Sequence, residues 1–268
     1  MVRVIASIVG ILLLIPVVIF SHTIVLNCAL ALISMIAVYE CLTIMKFPEK
    51  KQLLLPGILV AGVLPFCEYF DGQKFLMTVV FLYLAYLFLC KVLRPDTDLV
   101  HLICCAFMTF FVPYLFTSIL FVRRLEAGLP YMMTIFLGAW GTDIFAYEVG
   151  RNFGKHKLAP RTSPHKTIEG SVGGAAAAVV IFLIYGICLE RFFGYQVNLW
   201  LMAVYAVFCS AVAQFGDLAA SSIKRVFGAK DFGKIIPGHG GILDRFDSIL
   251  FLGAFVYLAA TLVPIITR

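Results

Sequence analysis

The chain has 268 residues, of which 62% are apolar and 13% are charged, and its mean hydropathy is +1.00. Soluble domains average about 45–50% apolar and about 25% charged residues. The composition therefore excludes a soluble globular enzyme, a disordered chain and a collagen-like fibre. It predicts an all-α polytopic integral membrane protein, in which the distribution of the charges is more informative than their net value of +6.

Nine apolar runs predict nine transmembrane helices, because a helix needs about 20 residues to cross about 30 Å of hydrocarbon. The runs lie at 4–20, 24–45, 53–69, 75–92, 99–122, 129–149, 171–189, 197–220 and 248–266. No linker or repeat interrupts them, so we expect one domain over 1–268, with N-terminal spans in 1–125 and a catalytic half in 129–268. The first run lacks a cleavage site before Ser21 and is interpreted as an uncleaved span.

The basic residues are distributed unevenly between the two predicted sides of the membrane. Sixteen of the 21 fall on the side of the N-terminus and of the long loops 150–170 and 221–247, and five fall on the other side. Cytoplasmic loops carry an excess of lysine and arginine. We therefore expect a multi-pass protein of the bacterial inner membrane whose N-terminus and long loops are cytoplasmic.

Small residues indicate how some helices pack. Gly170 and Gly174, followed by Ala175 to Ala178, have the spacing that lets two helix backbones approach closely. The eight cysteines lie inside or at the ends of apolar runs, with no Cys-x-x-Cys pair and no zinc spacing. We expect them to be small buried apolar residues rather than disulfides or metal ligands.

Acidic residues within the predicted spans are the first candidates for function, because charge is costly in hydrocarbon. Asp143 and Asp217 lie deepest in their predicted spans, and we expect them to act as metal ligands or proton carriers. The structural alternative for each is an ion pair with a lysine or arginine of a loop. Glu40 and Glu148 lie nearer to the cytoplasmic ends of their helices, and we interpret them as interfacial side chains.

Three predicted helix ends on the cytoplasmic side each present a carboxylate. Asp217 shares one helix face with Ser221 and Lys224, Asp143 lies one turn before Tyr147 on the sixth predicted helix, and Asp244 lies one turn before Asp247. Hard oxygen ligands of this kind suit Mg²⁺, which takes about one or two carboxylates together with phosphate oxygens of a substrate. The basic residues of the loops are expected to attract either polyphosphate or anionic lipid head groups.

The loop at 221–247 is rich in glycine, which lets backbone N–H groups approach phosphate oxygens closely. The glycines at 238, 240 and 241 directly precede Asp244, whereas Gly228 is as well explained by a turn. His239 lies among them, and its roles as general acid or base, phosphate ligand and turn residue are left open.

The stretch from Ser222 to Asp247 reads SIKRVFGAKDFGKIIPGHGGILDRFD and resembles the diagnostic pattern of phosphatidate cytidylyltransferases, also called CDP-diacylglycerol synthases, at every defined position over 26 residues. A second block is similar to the same family and comprises Asp143, Tyr147, Gly150, Arg151, Gly154, Lys155, Ser163, Pro164, His165, Lys166, Thr167, Glu169 and Gly170. His165 stands where the family often has Lys or Asn. The first 130 residues match in hydropathy only.

The resemblance implies transfer of a cytidylyl group from CTP to phosphatidate, with Mg²⁺ and a candidate second cation such as K⁺. It implies metal binding by Asp217 and Asp244, with Asp143 and Asp247 as further candidates. We assign catalytic roles to Lys224 and His239 as well. The residues expected to bind phosphate groups are Arg151, Ser163, Lys166, Thr167, Ser221, Arg225, Lys230, Gly240, Gly241 and Arg245. The expected partners are CTP, phosphatidate and membrane lipids, with a homodimer as a further candidate and no nucleic acid.

Two alternative functions are considered, a lipid kinase and a transporter. A CTP-dependent polyprenol kinase of the same superfamily would transfer the γ-phosphoryl group and release CDP rather than pyrophosphate. An ion-coupled transporter would use Asp143 and Asp217 as ion sites. Against transport, the acidic and glycine residues cluster at one predicted face, and no inverted repeat is visible.

Overall fold

The computed structural model describes residues 2–46, 50–236 and 240–268, and these residues form a predominantly helical protein, which confirms the predicted class. The α-helices are α1 (Val2–Ile19), α2 (Ile24–Ile44), α3 (Lys50–Val63), α4 (Gly72–Leu93), α5 (Leu99–Arg123), α6 (Gly128–Phe153), α7 (Ile168–Phe193), α8 (Leu199–Val226) and α9 (Leu243–Leu262). Two small antiparallel sheets pair β1 (Lys157–Ala159) with β2 (Ser163–Thr167), and β3 (Gln196–Val197) with β4 (Ile266–Thr267).

Several predicted helices differ at their ends from those observed, and two of these differences have a clear local cause. The third run divides into α3 and a 3₁₀ helix, Leu64–Tyr69, because Pro65 at its start has no N–H to continue the α-helical bonding. Helix α9 begins at Leu243 rather than at 248 and ends at Leu262 rather than at 266. It ends early because the tail forms β4, where Ile265 and Ile266 donate their N–H groups to the hydroxyl of Tyr131 at 2.7 and 2.8 Å.

Seven helical segments within the described residues are long and apolar enough to cross a membrane. They are Ile24–Ile44, Gln52–Tyr69, Gly72–Leu93, Leu99–Arg123, Ile168–Phe193, Leu199–Val226 and Leu243–Leu262. Helix α6 is not among them, and it carries Asp143, Glu148 and Arg151. The protein is therefore a polytopic membrane protein, while the count of nine spans and the orientation stay predictions.

The chain forms two compact units, and the single predicted domain with a boundary near residue 125 stays a prediction. The first unit comprises Met1–Leu120 and Ala229–Arg245. Its core includes Ala37 and Val38 of α2 and Ala61 of α3, all with 0% exposure. A Cβ atom at Gly62 would lie 2.7 Å from the sulfur of Met35, so the Met35 side chain of α2 fills the space beside this glycine of α3.

The second unit comprises Phe121–Gly228 and Phe246–Arg268, and its centre is the packing of α6, α7 and α8. A Cβ atom at Gly174 would lie 2.9 Å from the carbonyl oxygen of Thr142, and one at Gly170 would lie 2.5 Å from that of Ala146. The predicted close approach at these two glycines is therefore confirmed.

The thiols follow the predicted burial only in part, and four of them, Cys67, Cys90, Cys104 and Cys188, are half-buried. All eight cysteines are free, and Cys41, Cys105 and Cys209 are buried. Cys28 is exposed, which corrects the expectation of burial at that position. Since it lies in a helix apolar enough to cross a membrane, this position still suits an apolar side chain.

Candidate active site

Three carboxylates of the second unit converge from three helices. Asp143 lies on α6, Asp217 on α8 and Asp247 on α9, and Asp247 interacts electrostatically with both of the others. The hydroxyl of Ser248 lies 3.3 Å from Oδ2 of Asp143 and 3.4 Å from Oδ1 of Asp247. Asp247 is buried, with 8% exposure, so this cluster combines a buried acidic group with more accessible ones.

A glycine on α8 explains how the carboxylates come so close. A Cβ atom at Gly216 would lie 2.8 Å from the carbonyl oxygen of Asp247 and 3.4 Å from Cα of Ser248. Any larger residue would therefore push α8 away from the start of α9. The residue that follows Gly216 is Asp217, and the close approach sets its place beside Asp247.

Lysine side chains lie against the acidic cluster. Lys166 of β2 forms an ion pair with Asp217, and these side chains are 25% and 24% exposed. Lys224 lies on the same face of α8 as Asp217, two turns further along the helix. It is buried, with 7% exposure, and interacts electrostatically with Asp247. Ser221 donates its hydroxyl to Oδ1 of Asp217 at 3.3 Å. The predicted face of α8 therefore joins the cluster as one polar surface.

The hairpin that carries Lys166 is fixed to the helices at both ends. Thr167 caps α7, its hydroxyl oxygen accepting the N–H of Gly170 at 3.1 Å. The carboxylate of Glu169 accepts the backbone N–H groups of Lys155 at 3.1 Å and His156 at 3.2 Å. The bond to Thr167 caps the start of α7, which stabilises the helix. The carboxylate of Glu169 lies in the first turn, where the helix dipole favours a negative charge.

Arg225 joins α8 to the same hairpin region by donating Nε–H to the carbonyl oxygen of Thr162 at 3.3 Å. Ser163 is partly exposed on β2, and Arg151 is exposed near the end of α6. The second unit therefore holds six of the ten residues predicted to bind phosphate groups, together with Lys224 of the predicted catalytic set. The six are Arg151, Ser163, Lys166, Thr167, Ser221 and Arg225.

The first unit holds the other four, Lys230, Gly240, Gly241 and Arg245, and also Asp244. Gly240, Gly241 and Asp244 lie in a segment that we call the signature loop, defined as 232–236 and 240–244. Asp244 accepts the N–H groups of Phe232 at 2.8 Å and Gly241 at 2.9 Å on its Oδ2 atom. Gly240 has a φ of 85°, which favours glycine, and its carbonyl oxygen accepts the N–H of Ile236 at 2.9 Å. The loop is therefore folded back on the carboxylate of Asp244.

Glu40 is the residue that the sequence interpretation missed. It is 1% exposed, which corrects its assignment as an interfacial side chain. Its carboxylate accepts the N–H of Ile242 on Oε1 and the N–H of Leu243 on Oε2, each at 2.9 Å. A lone acidic residue in the apolar helix α2 was the only signal for it, because its partners lie at the other end of the sequence.

Several residues predicted for the site belong to the first unit or lie outside the described residues. Lys230 and Arg245 are exposed in the first unit, and His239 lies outside the described residues. Asp217 and Asp244 belong to different units, so the predicted pairing of these two carboxylates stays a prediction. Among the described residues, no group of three or more His, Cys, Asp and Glu side chains forms a ready-made metal site.

Comparisons with known proteins agree over nearly the whole chain. The sequence model of the cytidylyltransferase family matches residues 1–263. Proteins of Staphylococcus saprophyticus and Staphylococcus haemolyticus, both named phosphatidate cytidylyltransferase, are 34% and 35% identical over 261 residues, covering 94% of this chain and 95% of each relative. A Staphylococcus aureus protein of the same name is 39% identical over 180 residues, covering 67% of this chain and 65% of that relative. This chain therefore belongs to the cytidylyltransferase family.

Proposed function

We propose that this protein transfers a cytidylyl group from CTP to phosphatidate, giving CDP-diacylglycerol and pyrophosphate. The observation that carries the proposal is its similarity, over 94% of the chain, to relatives that are named phosphatidate cytidylyltransferase. The polar cluster on α6, α8 and α9 supports it, because acidic and basic side chains lie together there as the binding of a metal-complexed polyphosphate requires.

The substrates explain why such an enzyme is embedded in a membrane. The acyl chains of phosphatidate remain in the bilayer, whereas CTP is soluble in water, so the two meet at the interface. Within the described residues, seven segments long and apolar enough to cross a membrane suit the lipid, and the polar hairpin at 157–167 suits the soluble substrate. We place the reaction on the cytoplasmic side of the bacterial inner membrane, on the basis of the distribution of lysine and arginine.

The chemistry is a direct displacement at phosphorus. A phosphate oxygen of phosphatidate forms a bond to the α-phosphorus of CTP, while the bond from that phosphorus to the α–β bridging oxygen breaks. The electron pair leaves with pyrophosphate. Since a phosphate monoester is already nucleophilic, no covalent enzyme intermediate is required, and the protein contributes positioning and charge neutralisation.

The donor set suits a hard divalent cation. Asp143, Asp217 and Asp247 offer carboxylate oxygens, and about one or two of these with phosphate oxygens satisfy Mg²⁺. We include Asp244, which belongs to the other unit, among the proposed metal ligands because of its place in the sequence pattern. Bound Mg²⁺ supplies neutralisation of phosphate charge, and K⁺ is a second candidate.

The basic side chains have two tasks in this proposal. Lys166 and Lys224 balance the carboxylates before substrate binds and turn to the phosphate groups afterwards. Other groups proposed to contact phosphate are Arg151, Ser163, Thr167, Ser221, Arg225, Lys230, Gly240, Gly241 and Arg245, with His239 as an acid–base candidate. The assembly of two chains into a homodimer stays a prediction.

The position of the radioactive label in the product tests the proposal. Purified protein in detergent is given phosphatidate, a polyprenol, Mg²⁺ and CTP labelled at either the α- or the γ-phosphorus. Cytidylyl transfer carries the α-label into the lipid and the γ-label into pyrophosphate. Transfer of γ-label to a lipid hydroxyl would instead identify a kinase, and no labelled lipid with either nucleotide would contradict both enzymes.

A further inference from the structure

The carboxylate of Glu40 is buried and yet fully engaged. A buried carboxylate is strongly unfavourable unless it is hydrogen-bonded. Glu40 meets this condition with the N–H groups of Ile242 and Leu243, each at 2.9 Å. These groups lie at the start of α9, where backbone donors have no partner within the helix and the helix dipole favours a negative charge.

The loop is shaped to admit this carboxylate. A Cβ atom at Gly241 would lie 2.5 Å from both oxygens of Glu40, and a Cβ atom at Gly233 would also meet its carboxylate first. Neither glycine has a positive φ, so backbone conformation does not account for them. Their common property is that a side chain would occupy the space of Glu40.

The same loop holds Asp244. Its Oδ2 atom accepts the N–H of Gly241 at 2.9 Å, and the next two N–H groups along the chain, those of Ile242 and Leu243, go to Glu40. Three successive backbone donors are thus divided between two carboxylates. Moving Glu40 would therefore change the path of the backbone that orients Asp244.

We propose that Glu40 is a positioning residue that holds the signature loop at the start of α9 and thereby sets the orientation of Asp244, with Gly233 and Gly241 providing the space for its carboxylate. The catalytic consequence rests on the proposed function, in which Asp244 contributes to metal and phosphate binding. The structural part does not depend on it.

Glu40→Gln is the sharpest variant, because it preserves size. Its amide oxygen accepts one of the two N–H groups, while its NH₂ group faces the other donor. We expect kcat to fall roughly tenfold or more, and the half-saturating Mg²⁺ concentration to rise severalfold. Hydrogen exchange at residues 240–244, measured by mass spectrometry in detergent, should become roughly tenfold faster. Glu126→Gln, an exposed change of the same type, should alter none of these.

A double-mutant cycle separates contact with Glu40 from general damage. Gly241→Ala should lower kcat in the parent chain and have a much smaller effect in Glu40→Ala, because the nearest atoms to its new methyl group are then gone. Gly72→Ala is the matched control, since its Cβ atom would meet only the carbonyl oxygen of Cys67, at 3.8 Å.

The outcomes are distinct. Faster exchange at 240–244 together with lower kcat and a weaker Mg²⁺ response supports the proposal. Unchanged exchange in Glu40→Gln overturns it, whether or not the protein is active, and so does strict additivity in the cycle. An inactive parent chain would contradict the proposed function and would leave the exchange experiment to decide the role of Glu40.

Discussion

Lys166 pairs with Asp217, and this contact joins strand β2 to helix α8. Under the proposed function, Asp217 would also receive a metal ion, so the lysine and the metal would compete for the same negative charge. Substrate phosphate would relieve this competition, because it would offer the lysine another anionic partner. The ion pair would then connect metal binding with substrate binding.

We expect Lys166→Met to raise the KM for CTP or phosphatidate roughly tenfold, through loss of one charge-assisted contact to phosphate. The half-saturating Mg²⁺ concentration should fall, since Asp217 no longer has a competing cation. Steady-state rates across Mg²⁺ concentrations measure both effects. Lys157→Met, an exposed change on the paired strand β1, is the control, and equal behaviour of the two variants would contradict the role of Lys166.

We expect Asp217→Asn and Asp244→Asn each to lower turnover roughly a hundredfold or more, because each removes a negative charge proposed to hold the metal. Both proteins should elute from a sizing column as the parent chain does. Asp71→Asn is the matched control, since Asp71 is exposed and its carboxylate forms a surface ion pair with Lys74 at 2.6 Å. A rate within a few-fold of the parent in Asp244→Asn would remove that residue from the site.

Lys224 is buried and interacts electrostatically with Asp247, so its replacement changes the charge balance of the acidic cluster and also removes a proposed phosphate ligand. We expect Lys224→Ala to weaken phosphate binding and to raise KM roughly tenfold or more. Inhibition by pyrophosphate checks the same effect with a second phosphate ligand, as a rise in its inhibition constant. Unchanged KM, kcat and inhibition would show that Lys224 acts only within the protein.

The parts of the site that follow helical spacing could be predicted from the sequence. Asp217 and Ser221 lie on one face of α8 because they are one turn apart, and the contact of 3.3 Å between them is the expected result. Helix boundaries are harder to predict from the sequence. The start of α9 at Leu243 depends on Glu40, whose carboxylate satisfies the helix's first donors.

Contacts between distant segments could not be predicted in the same way. Glu40 and Ile242 are 202 positions apart, and no local pattern links them. In isolation, an acidic residue near a helix end is well explained by solvent exposure. The cap by Thr167 is easier to predict from the sequence, because threonine is a common residue before the first turn of a helix. Its hydroxyl oxygen accepts the backbone N–H of the residue three positions later, here Gly170.

Helix packing gives the last prediction, which concerns stability rather than catalysis. Gly174 lies against the backbone of α6, where even a Cβ atom would come within 2.9 Å of the carbonyl oxygen of Thr142. Gly174→Leu must therefore separate α6 from α7, at a cost of about 1–3 kcal/mol or more. We expect a lower thermal unfolding temperature in detergent, and a proportionate loss of activity because α6 carries Asp143. Ala176→Leu, on an exposed position of the same helix, should leave both unchanged, and equal stability of the two variants would show that close approach at Gly174 is not required.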